Sequence, residues 1–569
     1  MSIKADKAKT DDLMSLSINN NSLSLNAQRS LRLHVAAQET LLTRVTAGSR
    51  INKAADDPAG QAIAARMDSG MRGISQAMRS ISDGTSMLQV ADGALANVAD
   101  SLQRLRELAV ASGNGSYGGR DRATLQQEAV QLLNHINQVG AQTEFNGEAV
   151  FSQDQVSIGG DAKKRAVLDG LKTGWLSASE KMMKDLFGIE ADGVKLTVNL
   201  DQAVWGAGVL ASVSGNVAGD GKTADMHLNI NMAHFGTAAT PDGGAAPMYS
   251  DRIIAHEMAH AIMGRSMNFA ALPHWLTEGA AELIHGADER VRSAMANGAS
   301  ALQIVGGIAG GTYEYEGAYD AARYLHDRMK EFGVEGGIKG VMQYLNRNQG
   351  ADLDDALDAL TGGAIETEAD FRTQFAAQGV AYIGTRLNLT NEDTGAIGGL
   401  DADGKAVQTA RSVVADSGDN NAHDGLSGFQ VVYPELGGHT GVRRVQVQAG
   451  DGAGDLIDLQ FSAINAAALG LADLDMQRGA VALLHVDQAL EFVNQQRVVA
   501  GASSNRLDLA ASALQTSSAN MAAAKERIQG VDYAGTAAGL TRAQILQQAA
   551  SAMLAQANSQ PRAVLSLLR

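Results

Sequence analysis

His256-Glu257-Met258-Ala259-His260 is the stretch whose residue types and spacing could do chemistry. On a helix, residues four apart share a face, so His256 and His260 would aim their ring nitrogens at one metal ion. Glu257, next to the first histidine, would reach the open side of that ion and act as a general base on a water there. A pentapeptide of this kind arises by chance in about one such chain in a hundred, and a helix with two satisfied histidines is the bland alternative. The helix is expected over Asp251 to Met263. Ser250 would be its N-cap, Asp251 would sit in the first turn, Ile254, Met258 and Ala261 would pack inward, and Gly264 would follow the last apolar position. Downstream, Pro273-His274-Trp275-Leu276-Thr277-Glu278-Gly279-Ala280-Ala281-Glu282-Leu283 reads as a second helix with proline near its first turn. Glu278 lies 18 residues after His260, and Glu282 one helical turn further on the same face.

These two segments together resemble the gluzincin family of zinc metallopeptidases. The resemblance implies one zinc ion, Glu278 as third ligand after His256 and His260, and Glu282 as the outer carboxylate that orients a ligand histidine. Two histidines and one carboxylate with a fourth position open describe a catalytic rather than a structural zinc. Such an ion would acidify water and polarise a peptide carbonyl, while Glu257 takes the proton and passes it to the leaving amine. The segment His227 to Met232 alternates apolar and polar residues and reads as a strand. It precedes the helix where zincins place the edge strand that pairs with extended substrate. Tyr313 to Leu325 resembles the tyrosine-bearing helix of related gluzincins, which makes Tyr315 and Tyr319 the candidates for oxyanion stabiliser, with a packing role the alternative for either. His234, His274 and His285 lack ligand spacing and are expected at the surface or behind the ligands.

The elements that would position this site sit inside a longer organisation. The chain has 569 residues, enough for several cores, and a net charge of −17 from 46 Lys+Arg against 63 Asp+Glu. That charge argues against nucleic acid or an anionic membrane as the main partner. With no cysteine, disulfides are excluded and any metal site must use histidine and carboxylates. The first residues, Met1 to Lys7, lack the apolar core of a cleavable signal peptide, and no stretch of 18 apolar residues predicts a membrane span. From Ile18 to Phe151 the pattern is helical. Met67, Met71, Ile74, Met78, Ile81, Thr85, Leu88, Leu95, Leu102, Leu105 and Ala109 form one coiled-coil-like seam. The run ends at Gly113-Asn114-Gly115-Ser116, and a second helix is expected over Arg122 to Val139.

From Ser152 to Arg443 the chain turns Gly-rich, reads as a strand at Val194 to Val198, and holds all three tryptophans, Trp175, Trp205 and Trp275. It is expected to be a compact α+β insert, with 152–390 as the zinc metallopeptidase domain and 391–443 as a Gly-rich remainder, small β or linker. Asp401-Ala402-Asp403-Gly404 begins like a calcium loop, but the rest of the pattern is missing, so a plain turn is expected. From Arg444 a short β-like piece, Val445 to Gln448, gives way to helix over Val486 to Gly530 and again from Thr541, a plausible N-cap. Leu546, Ala550, Met553 and Ala557 would form the last seam.

The ends are more specific than a generic coiled coil. Arg50-Ile51-Asn52-Lys53-Ala54-Ala55-Asp56-Asp57-Pro58-Ala59-Gly60, Leu102 to Val110 and Glu144-Phe145-Asn146-Gly147 resemble the N-terminal region of flagellins. Ala500 to Leu507, Asp532-Tyr533-Ala534, Gln544 to Ala549 and the final Val564 to Arg569 resemble their C-terminal region. The resemblance implies a multidomain chain, with 1–151 and 444–569 building a long helical core that is completed by neighbouring copies in an extracellular filament used for motility. It also implies export through the flagellar apparatus with an export chaperone and no cleavable signal, and recognition of Arg104 to Leu108 by a Toll-like innate receptor. Flagellin ends with a central H-E-x-x-H peptidase resemble the flagellinolysins, whose filaments display a secreted hydrolase acting on protein or peptide substrates. The rivals are a flagellin whose insert is an inert surface or adhesion domain, and a hook-associated junction protein. The ending Leu565-Ser566-Leu567-Leu568-Arg569 favours filament flagellin.

Overall fold

The computed structural model describes residues 20–200, 209–235, 242–415, 426–438 and 440–567. The readings that fall on Met1 to Lys7, Ile18, Trp205, Leu568 and Arg569 lie outside the described residues. The chain divides into two compact units, one made of Met1–Leu88, Val445–Leu459 and Gly501–Arg569, the other of Gln89–Arg444 and Gln460–Ala500.

Long helices begin and end the chain: α1 (Ser22–Ala47), α2 (Pro58–Ser112) and α3 (Gly119–Gln142) at the start. A tiny hairpin follows, β1 (Glu144–Phe145) and β2 (Glu148–Ala149). Along α2, Ile74, Ile81, Leu88, Leu95, Leu102 and Ala109 are all buried. Their seven-residue period is the heptad that keeps one seam facing inward.

The middle begins with α4 (Ala162–Gly170), two π-helical turns around α5 (Leu176–Met182), and the strands β3 (Val194–Asn199), β4 (Ala211–Val217) and β5 (Thr223–Ile230). Two short strands, β6 (Gly244–Ala245) and β7 (Met248–Tyr249), form a hairpin leading into α6 (Ser250–Ser266). Then come α7 (His274–His285), α8 (Asp288–Ala296), α9 (Ala301–Gly306), α10 (Glu314–Glu331), α11 (Ile338–Arg347), α12 (Leu353–Thr361), α13 (Glu368–Arg386), the single turn α14 (Leu400–Asp403) and β8 (Phe429–Val432). The sheet order is β4-β5-β3-β8, with β5 and β8 parallel to β3 and β4 antiparallel to β5. The strand expected at His227 to Met232 is therefore interior, not an edge. The edges are β8 and β4, and β4 pairs Ala211 to Val217 with β5 and shifts register between Ser214 and Asn216. One core joins sheet and helices, from Val167 and Trp175 through Ile254, Met258 and Leu276 to Phe371 and Phe429.

The chain closes with the strands β9 (Val442–Gln448) and β10 (Leu456–Ser462), then α15 (Gly479–Gln529) and α16 (Tyr533–Leu567). Thr541 is not an N-cap. It lies inside α16, its hydroxyl donating to the Ala537 carbonyl, while Asp532 accepts from the Gly535 amide at 3.0 Å at the true start. Helices α1 and α16 pack together, with Asn21 Nδ2 donating to the Ala557 carbonyl at 2.8 Å and Ser24 Oγ to Asn558 Oδ1 at 2.6 Å. On α16, Ala550 and Ala557 are buried, whereas Leu546 and Met553 of the expected seam face solvent in the single chain. No described helix is long and apolar enough to cross a membrane.

Candidate metal centre

Helix α6 is buried almost all round, with Ile254, Met258, Ala259 and Ala261 in the core. It starts one residue earlier than its sequence implies: Tyr249 holds the extended N-cap position and Ser250 is already helical. Gly264 does not end the helix. A Cβ there would sit 2.8 Å from Thr223 Oγ1, so glycine is what lets α6 lie close to β5. Helix α7 approaches α10 in the same way, because a Cβ on Gly279 would lie 2.1 Å from the Ala318 carbonyl oxygen. These two close contacts fix the rows that carry His256, His260, Glu278 and Glu282.

The three expected ligands converge. His256 Nε2 and His260 Nε2 are 3.1 Å apart, and the Glu278 carboxylate lies 3.3 Å from the first and 3.4 Å from the second. Tetrahedral zinc with bonds of about 2.0–2.1 Å separates its ligand atoms by about 3.3–3.4 Å, so the donor set fits zinc in identity and in spacing. All three side chains are only 12–14% exposed. Behind them Glu282 Oε1 lies 3.5 Å from His256 Nδ1. Glu257 is buried beside the cluster and adds to its negative field at His256. Burial disfavours a charged His256 ring, but the hydrogen bond to Glu278 and the fields of Glu282, Glu257 and Glu278 outweigh it, raising its pKa to about 9. Burial pushes Glu278 up, yet the two histidines hold it well below the usual carboxylate range. The pocket thus concentrates negative charge where a cation would sit.

The two tyrosines part company. The Tyr319 hydroxyl is buried, donating to Asp288 Oδ1 at 2.7 Å and lying 3.1 Å from the Gly395 carbonyl, so Tyr319 is a structural brace and not an oxyanion donor. Tyr315, in the first turn of α10, is 43% exposed and its ring centroid is 6.3 Å from that of His256. Burial and the nearby Glu278 carboxylate raise its pKa to about 12, so its hydroxyl keeps its proton.

Sequence reasoning missed Arg290 and Arg252. Arg290 Nη2 lies 3.2 Å from Glu282 Oε1, and its guanidinium stacks 5.0 Å over the Tyr315 ring, tying these two together. No spacing rule pointed to it. Arg252 is 1% exposed and donates to the carbonyls of Pro247, His285 and Gly286. It lies four residues before His256, so the stripe Arg252-His256-His260 could have revealed it. His285, buried 4.0 Å from Glu282, is kept neutral by burial and by Arg252. His274 is exposed and reaches Glu314 at 3.5 Å, and His234 is exposed too, both as expected of surface residues. Asp401 to Asp403 lie in the α14 turn, which Gly404 caps, and Asp403 accepts from Lys330, His326 and the Gly398 amide.

At the two ends, paired helices leave Leu25, Leu33 and Leu42 on α1 and Ile545, Leu546 and Met553 on α16 exposed in the single chain. Apolar rows of this kind define a subunit completed by its neighbours. The family described as the bacterial flagellin N-terminal helical region matches residues 18–155, and the bacterial flagellin C-terminal helical region matches residues 483–568. Flagellins of Salmonella rubislaw and Salmonella muenchen are each 30% identical to this chain over 97% of its length and 99% of theirs. That of Salmonella typhimurium is 29% identical with the same coverage. The chain belongs to the bacterial flagellins. It is a structural subunit that assembles with copies of itself into the extracellular flagellar filament.

Proposed function

We propose that the middle of this flagellin is an α+β, zincin-like domain of the gluzincin type, and that each subunit carries a zinc endopeptidase on the filament. The observation that carries the reading is the convergence of His256 Nε2, His260 Nε2 and the Glu278 carboxylate at 3.1–3.4 Å, with Glu282 behind His256. A zinc ion held by those three groups supplies Lewis acidity toward water and a peptide carbonyl. Glu257 removes the proton of the attacking water and returns it to the departing amine. The Tyr315 hydroxyl donates to the oxygen that becomes negative. Glu282 accepts a hydrogen bond from Nδ1–H of His256 and so fixes its tautomer, leaving Nε2 for the ion. The edge strand β4 offers main-chain groups to an extended substrate.

Family membership underlies the rest of the proposal. The chain leaves through the flagellar export apparatus with an export chaperone. Arg104 to Leu108 meets a Toll-like receptor, with Arg104 half-exposed beside Glu107 and Glu128 while Leu105 and Leu108 are buried. The test of the enzyme reading is to purify the full chain, measure bound zinc, and follow peptide cleavage before and after a chelator. Zinc near one per chain with chelator-sensitive cleavage restored by zinc is expected. A zinc-loaded chain that cleaves nothing would leave an inert insert.

A further inference from the structure

A cavity of about 430 Å³ adjoins the cluster and shares Glu282 with it. Leu210, Met248 and Ala294 supply apolar wall, suited to the methylenes of a long side chain. Its charged groups do not balance. Arg252 lies 3.4 Å from both oxygens of Glu289, and Arg290 lies 3.2 Å from Glu282, so each arginine is committed to one carboxylate. The third carboxylate, Glu316 in the first turn of α10, lines the same cavity and has no ion pair among the described residues. Arg290 and Glu282 are the charges that act on it from neighbouring elements. Burial raises its pKa, and its own backbone amide and Arg290 offset this only in part.

We propose that this cavity receives a substrate side chain beside the scissile bond, and that Glu316 selects a cationic one, lysine or arginine. The inference rests on the peptidase reading above. A half-buried carboxylate without an ion-pair partner is costly, and a charge-assisted hydrogen bond from an ammonium or guanidinium relieves that cost. An uncharged side chain of equal length would fill the apolar wall and leave Glu316 unpaired. An acidic one would add a like charge.

The experiment uses the full-length, zinc-loaded chain and peptides identical except at one position flanking the cleaved bond. Lysine, norleucine and glutamate are placed there in turn. The expected kcat/KM for lysine exceeds that for norleucine by about tenfold or more, with glutamate last. Glu316→Gln should bring the lysine-to-norleucine ratio close to one, and Glu316→Lys should move the preference to glutamate. The ranking in the unaltered chain needs no variant to fold. Equal rates for lysine and norleucine, or a ratio unchanged in Glu316→Gln, would overturn the assignment while leaving the peptidase standing. No cleavage of any peptide would remove both.

Discussion

Replacing Glu282 with alanine separates an outer-sphere role from a ligand role. The carboxylate is 2% exposed and serves two partners through Oε1, His256 Nδ1 at 3.5 Å and Arg290 Nη2 at 3.2 Å. Without it, the His256 ring loses the acceptor that fixes its tautomer, and Arg290 loses its ion-pair partner. A hydrogen bond involving a charged group contributes about 1.5–3 kcal/mol, and about 1.4 kcal/mol is tenfold in an equilibrium constant. Zinc affinity should therefore fall by about 10–100-fold, the range typical of outer partners. Glu282→Gln, which keeps an oxygen acceptor but no charge, should fall in between. Glu278→Ala should be worse than either, because a donor atom itself is gone. The assay is competition for zinc against a chromophoric chelator at fixed pH. Affinity for Glu282→Ala within about twofold of the unaltered chain, or below that of Glu278→Ala, would refute the assigned roles.

Gly279→Ala should lower the melting temperature of the middle region and weaken zinc binding. Its Cβ would meet the Ala318 carbonyl at 2.1 Å, and overpacking of about 1–3 kcal/mol outweighs, at its upper end, the roughly 1 kcal/mol of helix propensity gained; circular dichroism melts decide it. Burial raises the Asp288 carboxyl from 3.8 to about 7, against the hydrogen bond from Tyr319. A group raised on folding stabilises fully below its unfolded pKa and loses that contribution as pH rises through the folded one. Thermal melts should therefore show stability falling from pH 4 to pH 7, and Asp288→Asn, which keeps an acceptor for Tyr319, should flatten that fall. Met553→Asp places a charge on an apolar residue that is 65% exposed in the single chain. It should stop filament growth seen by electron microscopy while leaving the circular dichroism of the monomer unchanged.

The site was legible because helical spacing is a local rule. His256 and His260, and then Glu278 and Glu282, are each one turn apart, so knowing the helix gives the face. The α2 seam was legible for the same reason, since Ile74, Ile81, Leu88 and Leu95 repeat without interruption. Strand partners are not local. β5 was readable as a strand, but its interior place depends on β4, whose Ala-Ser-Val-Ser-Gly-Asn-Val alternates only small apolar and polar residues and is interrupted by a glycine at 215. The start of α16 was misread because Gly535 and Gly539 look like breakers, whereas the side chain of Asp532 caps the first turn. Arg290 acts on Glu282 and Tyr315 only after α7, α8 and α10 are packed, so nothing near it in sequence announces it.

The proposed function places one working zinc site in the middle of each polymer subunit. The measurement is peptide cleavage by washed, sedimented filaments of the full chain beside filaments of Glu257→Gln, with zinc determined in both pellets. Equal zinc in the two, cleavage that sediments with the unaltered filaments, and cleavage lowered by orders of magnitude in Glu257→Gln are expected, since that change removes proton transfer and no ligand. Filaments that hold zinc equally and cleave at the same rate with and without Glu257 would contradict the account.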